Sequence, residues 1–312
     1  MTNIEKYLEL GPEVRQGTAL VALESTVISH GLPYPDNLQT AQALEEVVRQ
    51  KGATPATIAL LDGKIRVGLG QPELVRLATE KDVAKVSRRD LPVVLARRGL
   101  GATTVAATMY AAFLAKIKVF GTGGLGGVHR GATTTFDISA DLTELARTPV
   151  IVVCAGAKSI LDLPLTLEYL ETQGVPVIGY RTDELPAFYT SRSGIKLEAW
   201  ADSAEEIARI ARIKWDLGLT GGIVVTVPPP LEADLPPQEI ERAISRALVA
   251  ADKAGVRGKA VTPFLLNAVR LETGGKSLET NVALLKNNVG VAAEIALALL
   301  NEGPPDLPDE FI

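Results

Sequence analysis

Cysteine occurs once in these 312 residues, and histidine, methionine and tryptophan twice each. A single cysteine excludes an intrachain disulfide framework and every multi-cysteine zinc site. Two histidines leave little room for an all-histidine metal site. Any metal must lean on carboxylates, carbonyls and water, the ligand set of Mg or Mn. A nucleophile must come mainly from Ser, Thr, Lys, Asp, Glu or the one cysteine. A strong charge excess is also missing. The net charge of −5 argues against a general nucleic-acid or anionic-membrane binder. No apolar run approaches the roughly 20 residues of a membrane span. The opening MTNIEKYLELGPEV has neither the basic nor the apolar region of a signal peptide, so the expected setting is cytoplasmic.

What is present is an ordinary globular mix, 46% hydrophobic and 22% charged. Apolar runs alternate with helical patterns. TALVAL (18–23), VIVVCAG (150–156), VPVIGY (175–180) and GGIVVTVP (221–228) read as strands. Segments 36–52, 103–116, 159–174, 203–218, 237–255 and most of 262–301 read as helices. Asp36 is expected to cap the first of them. Asp62-Gly63, between two β-rich runs, signals a hairpin. Runs of continuous Val and Ile imply strands buried on both faces, with helices covering a large parallel or mixed sheet. No repeat or Ser/Gly linker divides the chain. One α/β domain over 1–302 is expected, with a loose tail at 303–312.

Polar residues concentrate at the ends of four strand-like runs, where ligands bind in α/β sheets. Glu24 follows TALVAL; a carboxylate there is costly unless paired and suits a general acid. The competing reading is a structural salt bridge. The loop continues through Ser29 and His30. Next, VAKVSRRDLP places Lys85, Arg88 and Arg89 where they could clamp a phosphate, or form a solvated basic patch with Asp90 as a helix cap.

The third segment, GTGGLGGVHRGATTTFDISAD (121–141), holds six glycines within eleven residues, then His129-Arg130, Asp137 and Asp141. The glycines would let backbone approach an anion. Asp137 and Asp141, four apart, would share a helical face and suit a hard cation. Asp141 is also expected to N-cap the helix that follows. In the fourth, VIVVCAGAKSILDL, Lys158 is expected at a helix start. An ammonium is disfavoured there, and a neutral lysine attacks carbonyl carbons. Cys154 reads as a core residue.

Together these segments resemble one family, the pseudouridine-5'-phosphate glycosidases with their indigoidine synthase A-like members. The matching stretches are ALESTVISHGLPYPDN, KVSRRDLP, GTGGLGGVHRGATTTFDISADL, VVCAGAKSILDLPLTLEYLET, VPVIGY, TPFLL (262–266) and ETGGKSLETN (272–281). The resemblance spans roughly residues 15–300 and departs mainly in 189–202 and the tail. It implies a three-layer α/β fold, a homotrimer and a divalent metal, usually Mn2+. It implies reversible cleavage of the C–C glycosidic bond of pseudouridine 5'-phosphate to uracil and ribose 5-phosphate. Lys158 falls at the family's Schiff-base lysine, Glu24 at its proton donor and Asp137 at its metal ligand. Lys85, Val105, Ser139, Ala140, Asp141 and Asn281 fall at substrate contacts. His129 and Arg130 are further candidates for gripping phosphate or ribose.

The chemistry fits these residue types. A C-glycoside leaves as a carbanion at uracil C5, so the sugar needs an electron sink, which a lysine iminium supplies. Glu24 would protonate the ring oxygen. Lys158 would attack C1', opening the sugar to an iminium, and the C1'–C5 bond would break in a retro-aldol-like step. A class I aldolase-like lyase for another sugar phosphate would use the same lysine. A non-catalytic nucleotide-binding protein would leave Glu24 and Lys158 unexplained.

Overall fold

The computed structural model describes residues 4–301; the tail expected at 303–312 lies outside the described residues. In chain order the strands are β1 (Leu8–Leu10), β2 (Leu20–Leu23), β3 (Thr54–Leu61), β4 (Lys64–Val67), β5 (Ala84–Val86), β6 (Gly101–Thr103), β7 (Val119–Gly121), β8 (Val128–His129), β9 (Ile151–Cys154), β10 (Leu161–Asp162), β11 (Val177–Tyr180), β12 (Ala199–Ala201) and β13 (Ile223–Thr226). The α-helices are α1 (Asp36–Gln50), α2 (Gln71–Thr79), α3 (Leu91–Ala96), α4 (Val105–Leu114), α5 (Ala132–Thr135), α6 (Ala140–Leu145), α7 (Leu163–Thr172), α8 (Ala204–Asp216), α9 (Pro237–Lys253), α10 (Val261–Glu272) and α11 (Lys276–Asn301).

Eleven strands form one sheet in the order β1-β4-β3-β2-β7-β9-β13-β11-β12, with β6 joined to β3 and β5 to β6. Every neighbouring pair from β3 to β12 is parallel. Strand β3 meets β4 and β6 antiparallel. Successive strand residues enter different cores, as the pleat requires. Val21, Leu23, Ile151 and Val153 pack with Leu44 of α1, Ile207 of α8 and Val289 of α11. Leu20, Ala22, Val152 and Cys154 pack with Met109 of α4 and Leu142 of α6. Helices therefore cover both faces, and the expected three-layer α/β/α arrangement is present.

The hairpin forms where Asp62-Gly63 marks it. Both residues have positive φ, 52° and 87°, as a type I' turn demands. Helix α1 begins at Asp36, but Pro35 occupies the cap position and no side chain caps it. The largest departure is at 159–162. Those residues are not helical: Leu161 and Asp162 pair with His129 and Val128. Helix α7 starts only at Leu163, where Pro164 suits the first turn and the Asp162 carboxylate accepts from the Leu165 amide at 3.1 Å. Lys158 thus lies in the turn after β9 and not at a helix start.

Helix α11, 26 residues long, is apolar enough by length and composition to cross a membrane, although no uninterrupted apolar run reaches that length. It packs inside the protein instead. Leu284, Val289, Ala292 and Ile295 are buried against the sheet and neighbouring helices. Gly121 of β7 permits this close approach, because a Cβ there would lie 3.0 Å from Val289 Cγ1 and 3.1 Å from its Cα.

Candidate active site

A cavity of about 590 Å³ opens at the carboxyl ends of β2, β7 and β9, where parallel sheets place their ligand sites. Its volume falls within the range of small-molecule pockets. Glu24, Lys85, Val105, His129, Ser139, Ala140, Asp141, Lys158 and Asn281 all line it. Residues more than 250 positions apart in the chain, Glu24 and Asn281, share one chamber.

Glu24 stands one residue beyond β2. Its neighbour Ser25 is buried, donates to the Ile58 carbonyl at 2.6 Å and accepts from the Thr103 amide at 2.9 Å. That anchor locks the chain at the strand end and leaves Glu24 facing the cavity. The salt bridge of the competing reading is absent among the described residues. Glu24 instead accepts hydrogen bonds from the hydroxyls of Thr26 and Thr122.

Lys158 enters from the next strand but one. Its Nζ donates to the Gly124 carbonyl at 2.6 Å, and its amide donates to the Leu125 carbonyl at 3.0 Å. Cys154, at the end of β9, is fully buried, and burial pushes its thiol up to about 12. It is a core residue, as expected.

The glycines of the 121–131 loop serve protein contacts more than an anion. A Cβ at Gly124 would lie 2.6 Å from the Phe188 ring. One at Gly126 would lie 2.2 Å from Ser139 Oγ and 2.6 Å from Asp141 Oδ2. Asp141 is the reason for the second approach. Its carboxylate accepts from the Gly126 amide and from the Ala106 amide of α4, both at 2.9 Å. It therefore joins the loop to the first turn of α4, where negative charge is favoured. Asp141 does not cap α6; Ser139 does, accepting from the Asp141 amide at 3.3 Å. Gly126→Ala should displace Asp141, free the amides of Ala106 and Gly126 and cost about 1–3 kcal/mol of stability through overpacking. Urea unfolding with a parallel turnover assay checks this; unchanged values for both would remove the proposed strut.

Asp137 and Asp141 do not share a helix face. Asp137 precedes α6 and lies outside the cavity lining, its carboxylate 4.0 Å from His129 Nδ1. Both oxygens of Asp141 are committed to amides. Burial lowers the His129 pKa, Asp137 opposes that shift, and Lys158 and Lys85 add to it. His30 also lines the cavity, and burial followed by the charge of Lys85 lowers its pKa. Arg130 turns away. Its guanidinium forks onto Glu241 of α9 at 2.6 and 2.9 Å and donates to the Ser159 and Leu161 carbonyls.

Cationic lining comes instead from Lys85, Arg88, Arg89 and Arg147. Arg88 is held by Glu144 at 2.8 Å and stacks on the Tyr110 ring. Arg147, Glu144 and Phe188 were not singled out from sequence. Ala140, Thr143, Glu144 and Arg147 recur at helical spacing, which could have marked that face. Phe188 carries no such signal. It is a buried residue with φ of 63° in an irregular segment.

Comparison with known proteins supplies the family. The family model described as indigoidine synthase A like protein matches residues 9–298. A pseudouridine-5'-phosphate glycosidase of Caldanaerobacter subterraneus subsp. tengcongensis is 57% identical over 95% of this chain and 98% of its own. One from Geobacillus kaustophilus is 58% identical over 94% and 99%. The crystal structure of a prealnumycin C-glycosynthase in complex with ribulose 5-phosphate superimposes with a TM-score of 0.88 at 40% identity, covering 95% of this chain and 98% of that one. An indigoidine synthase A-like protein of Thermotoga maritima gives 0.87 at 37%, over 94% and 97%. On this evidence the chain belongs to the indigoidine synthase A-like family, the family of the pseudouridine-5'-phosphate glycosidases.

Proposed function

We propose that this chain is a pseudouridine-5'-phosphate glycosidase that cleaves its substrate reversibly to uracil and ribose 5-phosphate. The observation that carries the reading is the meeting of Glu24 and Lys158, from strands two places apart, in one chamber with several cationic side chains. The sugar phosphate faces the Lys85–Arg89 segment and Arg147 by charge complementarity. Lys158 attacks C1' while the ring C–O bond breaks and Glu24 gives its proton to the ring oxygen. An open-chain amine adduct results rather than the iminium expected above, because C1' still holds hydrogen, C2', nitrogen and uracil C5; the iminium forms only as uracil leaves. Protonation at uracil C5 then lets the nitrogen lone pair expel uracil as the C1'–C5 bond breaks. The remaining lysine imine is hydrolysed by water to ribose 5-phosphate. Water enters only at that imine, so the glycosidic cleavage itself is a lyase step.

A resident metal is tested by its donors. Among the described residues no three His, Cys, Asp or Glu side chains gather around one point. Asp137, 42% exposed, offers one carboxylate, which suits a hard cation that keeps most of its waters. In this reading Asp137, beside the cavity-lining His129, would hold Mn2+ or a similar ion, and the ion would supply fixed positive charge to order water and substrate. A homotrimer, resting on the family resemblance, and a cytoplasmic setting complete the reading.

The deciding assay is uracil release from pseudouridine 5'-phosphate, run with chelator and with Mn2+ restored. Uracil should appear, fall at least about tenfold in metal-depleted protein, and recover on adding Mn2+. No uracil release would overturn the glycosidase reading. Full release by protein shown to be metal-free would overturn the metal alone.

A further inference from the structure

Strand β7 contributes no acid or nucleophile, yet the three residues that follow it touch both. The Thr122 hydroxyl donates to Glu24, and the Gly124 carbonyl accepts from Lys158 Nζ at 2.6 Å. This segment is tied to β9 on one side. The Thr122 amide donates to the Val153 carbonyl, and the Ala155 amide donates to the Gly123 carbonyl, both at 2.9 Å. From the helical layer it is gripped by Asn288 of α11. Asn288 Nδ2 donates to the Thr122 carbonyl at 2.8 Å and to the Gly123 carbonyl at 3.3 Å.

Asn288 is fully buried, with the buried Leu284 and Leu285 one turn before it on α11 and the buried Ala292 one turn after it. A buried amide is unfavourable unless its groups are paired. Here Oδ1 is buried with no hydrogen-bond partner. Packing alone would favour a leucine of similar volume, which leaves no oxygen unpaired. The helix is brought within reach by the missing side chain of Gly121. Ladder pairing of β7 with both neighbours ends at Gly121; beyond it the Thr122 carbonyl is directed by Asn288, and the Gly123 carbonyl is shared between the Ala155 amide and Asn288.

We propose that Asn288 is a positioning residue. By holding the Thr122 and Gly123 carbonyls, it sets the turn that fixes Glu24 and Lys158 relative to each other. The proposal rests on the reading of those two residues as acid and nucleophile. A misplacement of about 1 Å can cost on the order of 100-fold in rate, and that is the scale expected here.

The experiment is a double-mutant cycle of Asn288→Leu with Thr122→Val, followed by uracil release and thermal melting. Asn288→Leu should lower kcat about 100-fold while leaving KM within about threefold and the melting temperature unchanged or raised. Thr122→Val removes a donor that favours the charged form of Glu24, so the alkaline limb of the pH profile, where a proton donor is lost, should move to higher pH. Asn288→Leu should move it the same way. The double variant should fall short of the product of the single losses by about tenfold or more. Strict multiplicativity, or a folded Asn288→Leu protein with unchanged kcat and pH profile, overturns the proposal. If the leucine variant does not fold, Asn288→Ser replaces it in the cycle with the same expectations, since its hydroxyl cannot span both carbonyls. The two readings fail separately. Full turnover by Lys158→Ala overturns the nucleophile and this role of Asn288 with it. A multiplicative cycle beside an inactive Lys158→Ala overturns Asn288 alone.

Discussion

Lys158→Ala is expected to reduce uracil release to the uncatalysed background and to abolish borohydride trapping of a sugar-phosphate adduct. The loss should be at least about 10⁴-fold, because removing a covalent nucleophile removes the step itself. No neighbour can take over. Cys154 is fully buried, with its thiol pushed up to about 12. Lys85 and Arg88 line the same cavity but arise from β5 and the turn after it, not from the end of β9. The measurement is mass spectrometry of protein reduced with borohydride in the presence of ribose 5-phosphate, beside the turnover assay. An adduct that persists in the alanine variant would move the nucleophile to another lysine. The folded state should tolerate the change, since the side chain's one hydrogen bond goes to the Gly124 carbonyl, beside the open cavity.

Glu24→Gln should lose more than about 100-fold in kcat while still binding substrate. Glutamine keeps the shape of the carboxylate but carries no transferable proton. The hydroxyls of Thr26 and Thr122, which donate to Glu24, can rotate to accept from the new amide, so the pocket should survive. The same hydroxyls serve the native cycle. They donate to the carboxylate and can turn as acceptors when Glu24 holds a proton, without moving a heavy atom. Steady-state kinetics beside equilibrium binding of ribose 5-phosphate separates the two effects. Near-normal kcat would assign the proton to another group.

Much of this architecture was legible in composition and pattern. Continuous runs such as VIVVCAG imply burial on both faces, and both cores take residues from that run. Asp62-Gly63 states its own turn, because few other pairs accept positive φ twice. What failed depended on partners far along the chain. Lys158 was expected at a helix start because 159–174 has helical spacing, but Leu161 is drawn into pairing with His129. Arg130 reads as an anion grip until Glu241 appears, 111 residues away. Asp141 is a good capping residue by type, yet Ser139 two positions earlier takes that place and frees its carboxylate for the amides of Ala106 and Gly126. Local chemistry identified the polar residues that matter. It could not say which of them were already engaged.

Glu24 and Lys158 follow strands β2 and β9, with β7 between them. Adjacent strands in a sheet stand about 4.8 Å apart, so the strand ends behind the acid and the amine are separated by about 10 Å. That interval is a ruler graduated by backbone hydrogen bonds, and substitutions in the surrounding core can scarcely stretch it. A relative that handles a different aromatic partner for the same sugar would therefore keep the gauge and recut the walls, at α10, α11 and the Phe188 segment. Redesign of substrate choice should begin at those walls and leave the three strand ends untouched.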